Sequence, residues 1–273
     1  MLKDITLGQY FPMNSPIHRL DPRFKIMFTL LYIVLVFFAD SVLSYLATLI
    51  LVVSVTLLSK IRFSMLLKSL KPLSVIIIIT AVINVFFTGA GDVIWKYGVL
   101  KITSEGIRNA VNMTLRLSFL VMGSSLLTYT TSPLMLTDGI ERLLSPFARI
   151  GLPAHELAMM MTIALRFIPT LLEETEKIMM AQKARGADFE SGNIFKRARA
   201  LIPVLVPLFI SAFRRADELA TAMECRCYRG GKNRTSLRQL KVSGIDFAAL
   251  AVMTLYTACI ILLNIFDIRI VGF

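Results

Sequence analysis

Charged residues are scarce in this sequence of 273 residues. Asp, Glu, Lys and Arg make up 18% of the chain, whereas hydrophobic residues make up 56%. This composition excludes an ordinary soluble domain and indicates an integral membrane protein. Acidic residues are the scarcer charged class, with 18 against 30 basic residues and a net charge of +12. We expect the basic excess in cytoplasmic segments that face anionic lipid or an acidic partner, and the long apolar runs argue against nucleic-acid binding.

Cysteine and histidine are rare as well, with three and two residues. An odd number of cysteines does not form a disulfide framework, and a zinc site needs about four ligands. His18 and His155 lie beside predicted helix starts, where a structural role is expected. The sequence contains no G-x-x-x-x-G-K-[ST] phosphate loop, no H-E-x-x-H and no G-x-S-x-G. We therefore expect a non-catalytic protein without a metal ion or a cofactor.

Five apolar runs approach the roughly 20 residues that a transmembrane helix needs. They comprise residues 24–39, 41–58, 72–88, 107–130 and 245–266. The stretch between the third and fourth runs, residues 89–106, contains glycines and the alternating segment VLKIT, which predicts a small hairpin or loop at the membrane face. No apolar signal-peptide core precedes the first run, so we expect the N-terminus to be retained.

The segment between the last two runs does not resemble a simple membrane span. Residues 132–242 contain 17 basic and 11 acidic residues. Ser132 followed by Pro133 predicts a helix start, and long helices are expected over residues 154–183 and 193–228. Internal prolines are expected to bend these helices. They are Pro169, Pro203 and Pro207.

The predicted fold class is an all-α integral membrane protein of about five transmembrane helices, with a cytoplasmic module of long helices inserted before the last span. The predicted divisions are an N-terminal bundle of about four spans (1–131), the cytoplasmic module (132–242) and a C-terminal transmembrane helix (243–273). Of the 30 basic residues, 25 lie in the N-terminal arm, the link between the second and third runs, and the module. Because basic residues accumulate in cytoplasmic loops, these segments and the N-terminus are expected inside and the C-terminus outside.

A pattern at residues 176–185 recurs 41 residues downstream, at 217–226. Arg185 corresponds to Arg226, and aliphatic and small residues precede both arginines at matching positions. On a helix these offsets give an apolar stripe that ends in an arginine. Both arginines could simply cap helix ends, because positive charge and a following glycine suit a helix C-terminus. Two matched copies instead favour contact with a two-lobed acidic partner on the cytoplasmic side, since arginine bonds carboxylates bidentately.

The fourth run contains polar residues on one helix face. Arg108, Asn112 and Arg116 are spaced four residues apart. An arginine within a membrane is costly and is expected to face other helices or a partner. Three interpretations are open: a neighbour such as Asn84 or a backbone carbonyl satisfies it, it contacts a partner membrane protein, or it lines a substrate path.

Several segments, in order, resemble the transmembrane T component of energy-coupling factor (ECF) transporters, the EcfT/CbiQ family. SPIHRLDPRFKI (residues 15–26) resembles the family's N-terminal signature. LRFIPTLLEE (165–174), AQKARGADF (181–189) and RRADELATAMECRCYRGGKNRT (214–235) resemble its cytoplasmic signatures. The resemblance covers nearly the whole chain and implies a multi-pass protein of a prokaryotic cell membrane.

The resemblance implies partners and contact residues. A T component joins two ABC-type ATPases to a substrate-binding membrane protein, the S component, and an Ala-Arg-Gly motif at the end of each coupling helix docks in one ATPase. The first motif corresponds to Ala184, Arg185 and Gly186. The second corresponds to Cys225, Arg226 and Cys227, where cysteines replace the family's alanine and glycine.

Methionines of the first coupling helix suit a pliable surface for the S component, with ordinary core packing as the alternative. They are Met159, Met160, Met161, Met179 and Met180. The resemblance implies an energy-coupling subunit of a vitamin or micronutrient importer. A T component dedicated to cobalt or nickel, a standalone secondary transporter and a membrane enzyme are the alternatives. The last two are less consistent with the sequence, which has little internal symmetry and no catalytic motif.

Overall fold

The computed structural model describes residues 10–87, 93–97, 100–151, 153–189, 193–230 and 240–271. These residues form ten α-helices and a two-stranded hairpin. The helices are α1 (Pro16–Arg19), α2 (Pro22–Phe37), α3 (Val42–Ser59), α4 (Phe63–Leu70), α5 (Ser74–Phe87), α6 (Ser104–Thr130), α7 (Pro133–Leu144), α8 (Ala154–Ala184), α9 (Ile194–Cys225) and α10 (Gly244–Val271), and the strands are β1 (Val93–Tyr97) and β2 (Leu100–Thr103). Short 3-10 turns at Lys71–Leu73 and Ser145–Ile150 follow α4 and α7.

Local capping explains several helix starts. The Asp21 side chain accepts a hydrogen bond from the Arg23 amide, and Pro22 occupies the first turn of α2. Thr103 caps α6 in the same way through the Gly106 amide. The helix start predicted at Ser132 and Pro133 is confirmed, because Ser132 Oγ accepts from the Met135 amide at 3.3 Å. Helices α8 and α9 continue through their internal prolines.

Five helices among the described residues are long and apolar enough to cross a membrane. These segments are Val42–Ser59, Phe63–Phe87, Ser104–Thr130, Ala154–Ala184 and Gly244–Ile265. Four of them match predicted runs and confirm an all-α membrane protein. The fifth is α8, which lies in the predicted cytoplasmic module. The first predicted run forms α2, which is not among the five, because its 16 residues span only about 24 Å. Helix α8 meets the requirement because Arg166 is the only charged residue between positions 157 and 172.

The predicted hairpin is confirmed where the structure describes it. Strands β1 and β2 pair antiparallel, with Tyr97 opposite Leu100 and Val93 opposite Thr103. Residues 88–92 and 98–99 of the predicted segment lie outside the described part. Helix α6 then begins directly after β2, three residues before the predicted start of the fourth run.

The chain divides into two compact units, the first formed by residues 8–139 and 239–273 and the second by residues 140–238. In the first unit, α2, α3, α6 and α10 surround a core rich in aromatic residues. Tyr32 donates a hydrogen bond to the Phe119 carbonyl and stacks on Tyr256. Gly123 permits this close approach, because a Cβ there would lie 2.1 Å from the Tyr32 ring. The close packing of this core therefore depends on the small Gly123 lying opposite the large Tyr32.

One end of this bundle holds a buried polar cluster, formed by Ser15, His18, Asp21, Lys25 and Asp246, which we call the N-terminal polar cluster. Lys25 Nζ donates to the His18 and Thr130 carbonyls and to Thr131 Oγ1, at 3.0–3.3 Å. The Asp246 side chain, 1% exposed, accepts from the backbone amides of Asp21 and Ser243. The cluster thus joins the starts of α2 and α10 to the end of α6.

His18 and Asp21 each have a defined protonation state within this cluster. His18 Nε2 donates to the Phe11 carbonyl at 2.9 Å, and Nδ1 lies 2.7 Å from Ser15 Oγ. Burial lowers the pKa of His18, which favours the neutral ring. Burial alone would raise the pKa of Asp21, but hydrogen bonds from Arg23 outweigh it and hold the pKa below its usual value. The predicted structural role of His18 is confirmed by these contacts.

The opposite end of the bundle is held by a second set of polar contacts. Arg116 Nη2 pairs with Asp40 Oδ1 at 2.6 Å and donates to the Ala39 carbonyl at 3.2 Å. The Asn264 side chain donates to the Phe38 carbonyl. Carbonyls left without partners at the end of α2 are therefore satisfied by side chains of α6 and α10.

We expect Lys25→Met to destabilise the protein by about 1–3 kcal/mol, because it leaves buried carbonyl oxygens without a donor. Thermal unfolding of the purified protein in detergent measures the loss. Lys68→Met is the matched control, since Lys68 is exposed and a surface change of this kind costs less than about 0.5 kcal/mol. Equal melting temperatures for the two variants would contradict the role given to Lys25.

Candidate functional site

The second unit is dominated by an antiparallel pair of long helices, α8 and α9. Gln182 of α8 donates to the Pro203 carbonyl at 3.5 Å, whereas Glu174 contacts Ser211. Residue numbers thus fall along α9 as they rise along α8, which defines the antiparallel direction. Helix α9 ends at Cys225, three residues before the predicted end, and α8 ends at Ala184, one residue after it.

Near the middle of the pair lies a polar contact formed by Glu174, Ser211 and Arg215, which we call the central contact. Glu174 Oε2 pairs with Arg215 Nη2 at 2.6 Å, and Oε1 accepts from Ser211 Oγ at 2.9 Å. Positions 174 and 215 are 41 residues apart, which is the spacing of the sequence repeat. Equivalent residues of the two copies therefore meet each other, as expected where a local two-fold axis crosses an antiparallel helix pair.

Helix α8 ends in a Schellman motif. The Gly186 amide donates to the Lys183 carbonyl and the Ala187 amide donates to the Gln182 carbonyl, both at 3.0 Å. Gly186 has a φ of +87°, which a residue without Cβ adopts at little cost. Arg185 is the last residue before this reversal, so the chain turns away directly after it.

Helix α9 ends in the same motif, 41 residues later. The Cys227 amide donates to the Glu224 carbonyl at 2.8 Å, and the Tyr228 amide donates to the Met223 carbonyl at 3.0 Å. Cys227 takes the place of Gly186 and has a φ of +55°. A left-handed conformation costs a residue with a Cβ roughly 1–2 kcal/mol. The repeat in the sequence is therefore a repeat in backbone geometry, with strain in the second copy.

Both arginines project from the ends of the helices. Arg185 and Arg226 are exposed, together with the residues on either side of each. Among the residues that the structure describes, neither guanidinium group has a hydrogen-bonding or charged partner. Each arginine lies eleven residues beyond the central contact on its own helix, or about 16 Å along the axis. Since the helices run in opposite directions, the arginines lie roughly 35 Å apart.

The five methionines singled out in α8 differ in their exposure. Met160, Met161 and Met180 are exposed, whereas Met159 and Met179 are half-buried. Helix α9 adds an exposed apolar stripe at intervals of four and three residues, which sequence reasoning had not identified. It consists of Ile202, Val206, Phe209 and Phe213. This unit therefore presents apolar surface as well as its two arginines.

The polar residues of α6 are not gathered into one site. Arg108 is exposed, and the Asn112 carbonyl accepts a hydrogen bond from Tyr45. Arg116 Nη2 donates to a backbone carbonyl, as one interpretation had it, and also pairs with Asp40, which sequence reasoning had missed. The buried Nε of Arg116 has no hydrogen-bond partner among the described residues. The suggested neighbour Asn84 instead donates to the Thr80 carbonyl. The position of Asp40 directly after the first apolar run is the signal that indicates a cation nearby.

The termination geometry generates a prediction for the two motifs. Gly186→Ala should destabilise the end of α8 by roughly 1 kcal/mol, because it forces a Cβ into the left-handed region. Cys227→Gly should have the opposite effect at the end of α9. Hydrogen exchange at the Ala187 and Tyr228 amides measures both changes.

Cys227→Ala is the matched control for this prediction, because it removes the thiol and keeps the strained backbone. We expect no gain in protection at Tyr228 for this control. Equal protection in the Cys227→Gly and Cys227→Ala variants would show that the backbone conformation of Cys227 carries no strain.

Comparison with known proteins gives consistent matches. Residues 13–237 match the profile of the family CbiQ, described as cobalt transport protein. The energy-coupling factor transporter transmembrane protein EcfT of Thermosediminibacter oceani is 58% identical over 248 residues, which cover 91% of this chain and 93% of that protein. EcfT of Clostridium kluyveri is 55% identical, with 97% and 98% covered, and EcfT of Bacillus subtilis is 43% identical, with 97% and 100% covered.

Proposed function

Because this chain belongs to the CbiQ/EcfT family of energy-coupling transporter transmembrane proteins, we propose that it transmits the ATP-driven movement of two ABC-type ATPases to a substrate-binding S component. The relatives are named as transmembrane components of a transporter, which indicates a non-catalytic subunit. The observation that carries the proposal is the matched pair of exposed arginines at the C-terminal ends of the antiparallel helices α8 and α9, neither of which has a partner within the described part of the chain.

Each arginine is suited to docking in an acidic groove. The exposed guanidinium group offers several donors in a plane and stays charged at any physiological pH. The Schellman turn directs the following chain away, and the flanking residues are small, so a partner can approach closely. Ala184, Arg185 and Gly186 would form one docking motif, and Cys225, Arg226 and Cys227 the other. A separation of roughly 35 Å gives each motif a different lobe of the ATPase pair.

The central contact lies at the same distance from both docking motifs, eleven residues along each helix. Its side chains are partly exposed, 27% for Glu174 and 40% for Arg215, so the ion pair contributes little to stability. It instead fixes which residues of α8 and α9 lie opposite each other. When the ATPases close, movement of Arg185 and Arg226 would turn the helices about this contact by similar amounts. The prolines within α8 and α9 and the segment GADFESGN (186–193), of which residues 190–192 lie outside the described part, are candidate movable junctions.

We propose that residues 140–238 lie on the cytoplasmic side, within the predicted module 132–242. Helix α8 is long and apolar enough to cross a membrane, but its partner α9 carries Arg214, Arg215, Asp217 and Glu218 in succession. Such a helix is unfavourable in hydrocarbon. In the first unit, exposed basic residues lie at the end of the bundle that holds the N-terminal polar cluster, namely Arg19, Lys60 and Arg62. The positive-inside rule then favours an N-terminus inside and a C-terminus outside.

The S component would contact the exposed apolar surface of this subunit. The methionines of α8 and the stripe on α9 suit such a contact, because Met side chains adapt to different partners. The S component would then determine which substrate is imported, in keeping with import of vitamins or other micronutrients. Dedicated cobalt import is less favoured, because the similar relatives are named EcfT, and cobalt occurs only in the family description.

Substitution of the two arginines tests the docking role. Arg185→Ala and Arg226→Ala should each weaken binding of the ATPases, by about 2–5 kcal/mol where the contact is desolvated, and the double variant should assemble poorly. Co-purification with the ATPase pair and ATP-driven uptake in vesicles measure both steps. Arg197→Ala is the control, since Arg197 is an exposed arginine elsewhere on α9. Normal uptake by the double variant would refute the proposal.

Charge exchange at the central contact tests the lever. Glu174→Arg places two positive charges together and should lower the amount of substrate transported per ATP hydrolysed, with little loss of ATPase binding. The exchanged double variant, Glu174→Arg with Arg215→Glu, should recover most of this ratio because the ion pair forms again. Failure of the exchange to restore the ratio would show that the pair does not position the helices.

A further inference from the structure

The first unit contains an apolar cavity of about 300 Å³ near the end that holds the N-terminal polar cluster. Residues of α1, α2, α3, α6 and α10 line it, among them Ile17, Phe28, Val55, Leu127 and Ala249. Helices α3 and α10 contribute only apolar side chains to the lining. No step of the coupling mechanism uses this cavity.

The polar side chains on the lining are already occupied. They are Lys25, Thr29, Tyr32 and Thr130. The lysine amine has three oxygen acceptors, and the three hydroxyl groups each donate to a backbone carbonyl. A polar ligand would find no free donor there, and apolar cavities of this kind hold hydrocarbon better than water. The occupant therefore needs an apolar segment.

Two exposed cations are close neighbours in sequence of residues that line the cavity at the surface. Exposed lining residues at the surface include Pro16 of α1, Leu58 of α3 and Ile245 of α10. Arg19 lies three residues after Pro16 on α1, and Lys60 lies two residues after Leu58 at the end of α3. Helix α1 packs against α3. Both cations are exposed, and neither has a partner among the residues that the structure describes.

Two described acidic residues at this end, Asp21 and Asp246, are already engaged with other groups and do not pair with these cations. Asp21 is buried and paired with Arg23, and Asp246 is buried and hydrogen-bonded to backbone amides. An apolar cavity with a positive border is complementary to an anionic lipid, and basic pockets between membrane helices are typical sites for such lipids. A protein helix would fill the cavity with apolar side chains but would leave Arg19 and Lys60 without anions.

We propose that the cavity binds one acyl chain of an anionic phospholipid, whose phosphate is held by Arg19 and Lys60. The site is a lipid site of the transmembrane bundle and is independent of the coupling role. Bound there, the lipid would fill space between α1, α3 and α10 that the chain itself leaves empty, and so stabilise the packing next to the N-terminal polar cluster.

Native mass spectrometry of the full-length protein, released from vesicles of dioleoylphosphatidylglycerol or dioleoylphosphatidylcholine, tests this site. The two lipids share their acyl chains and differ in head-group charge. We expect one phosphatidylglycerol retained per chain and much weaker retention of phosphatidylcholine. The Arg19→Gln, Lys60→Gln double variant should bind phosphatidylglycerol roughly 30-fold more weakly, given the usual contribution of each cation near an anionic head group. Ala249→Phe, which fills the cavity without a change in charge, should abolish retention.

The Lys68→Gln, Lys71→Gln double variant is the matched control. It removes the same charge from exposed residues that do not border the cavity, and it should retain phosphatidylglycerol normally. Ala248→Leu is a milder filling variant for use if Ala249→Phe unfolds, which the melting temperature reports. Equal retention of both lipids, equal losses in the two charge variants, or a lipid that survives both filling variants would overturn the proposal. Loss of a membrane protein partner in the filling variants, with phosphatidylglycerol still bound, would overturn it as well.

Discussion

Burial of the Lys25 ammonium group is the constraint on which the transmembrane bundle depends. A charge removed from water must be compensated, and the chain compensates this one with three oxygen atoms from two separate segments and with two nearby carboxylates. His18, Thr130 and Asp246 are far apart in sequence, yet all must be in place for the amine to be satisfied. The conspicuous SPIHRLDPRFKI segment therefore has a structural explanation: its polar residues unite the start of the bundle with the end of α6 and the start of α10.

The second unit has a different architecture and depends less on polar contacts than the bundle does. Two helices related by a 41-residue repeat pack in opposite directions, so equivalent positions lie at equal distances from their common centre. In the proposed role, such a pair would carry displacement from one end to the other without a large core of its own. Its exposed apolar side chains follow from the same design, because each helix uses only one of its faces to contact the other.

Much of this organisation could be predicted from sequence, because it rests on local patterns. Ser132 before Pro133 marked a helix start, and the matched spacing around Arg185 and Arg226 predicted that each of the two long helices ends near an arginine. Long-range pairings could not be read in this way. Asp40 is a single acidic residue in a short turn, and nothing near it in sequence identifies Arg116 as its partner. By length and composition alone, α8 is counted among the membrane spans. The periodicity of apolar residues indicates an apolar surface but does not identify whether lipid or protein covers that surface.

The two helix ends share a backbone geometry but carry different side chains, glycine at one reversal and cysteine at the other. A two-fold rotation about the centre of the helix pair therefore relates the main chain at the two helix ends but does not relate their side chains. A partner with perfect two-fold symmetry cannot make the same contact at both places. Two unlike subunits bound at these ends would therefore have a preferred arrangement, because the residues on either side of the arginine differ between the two ends.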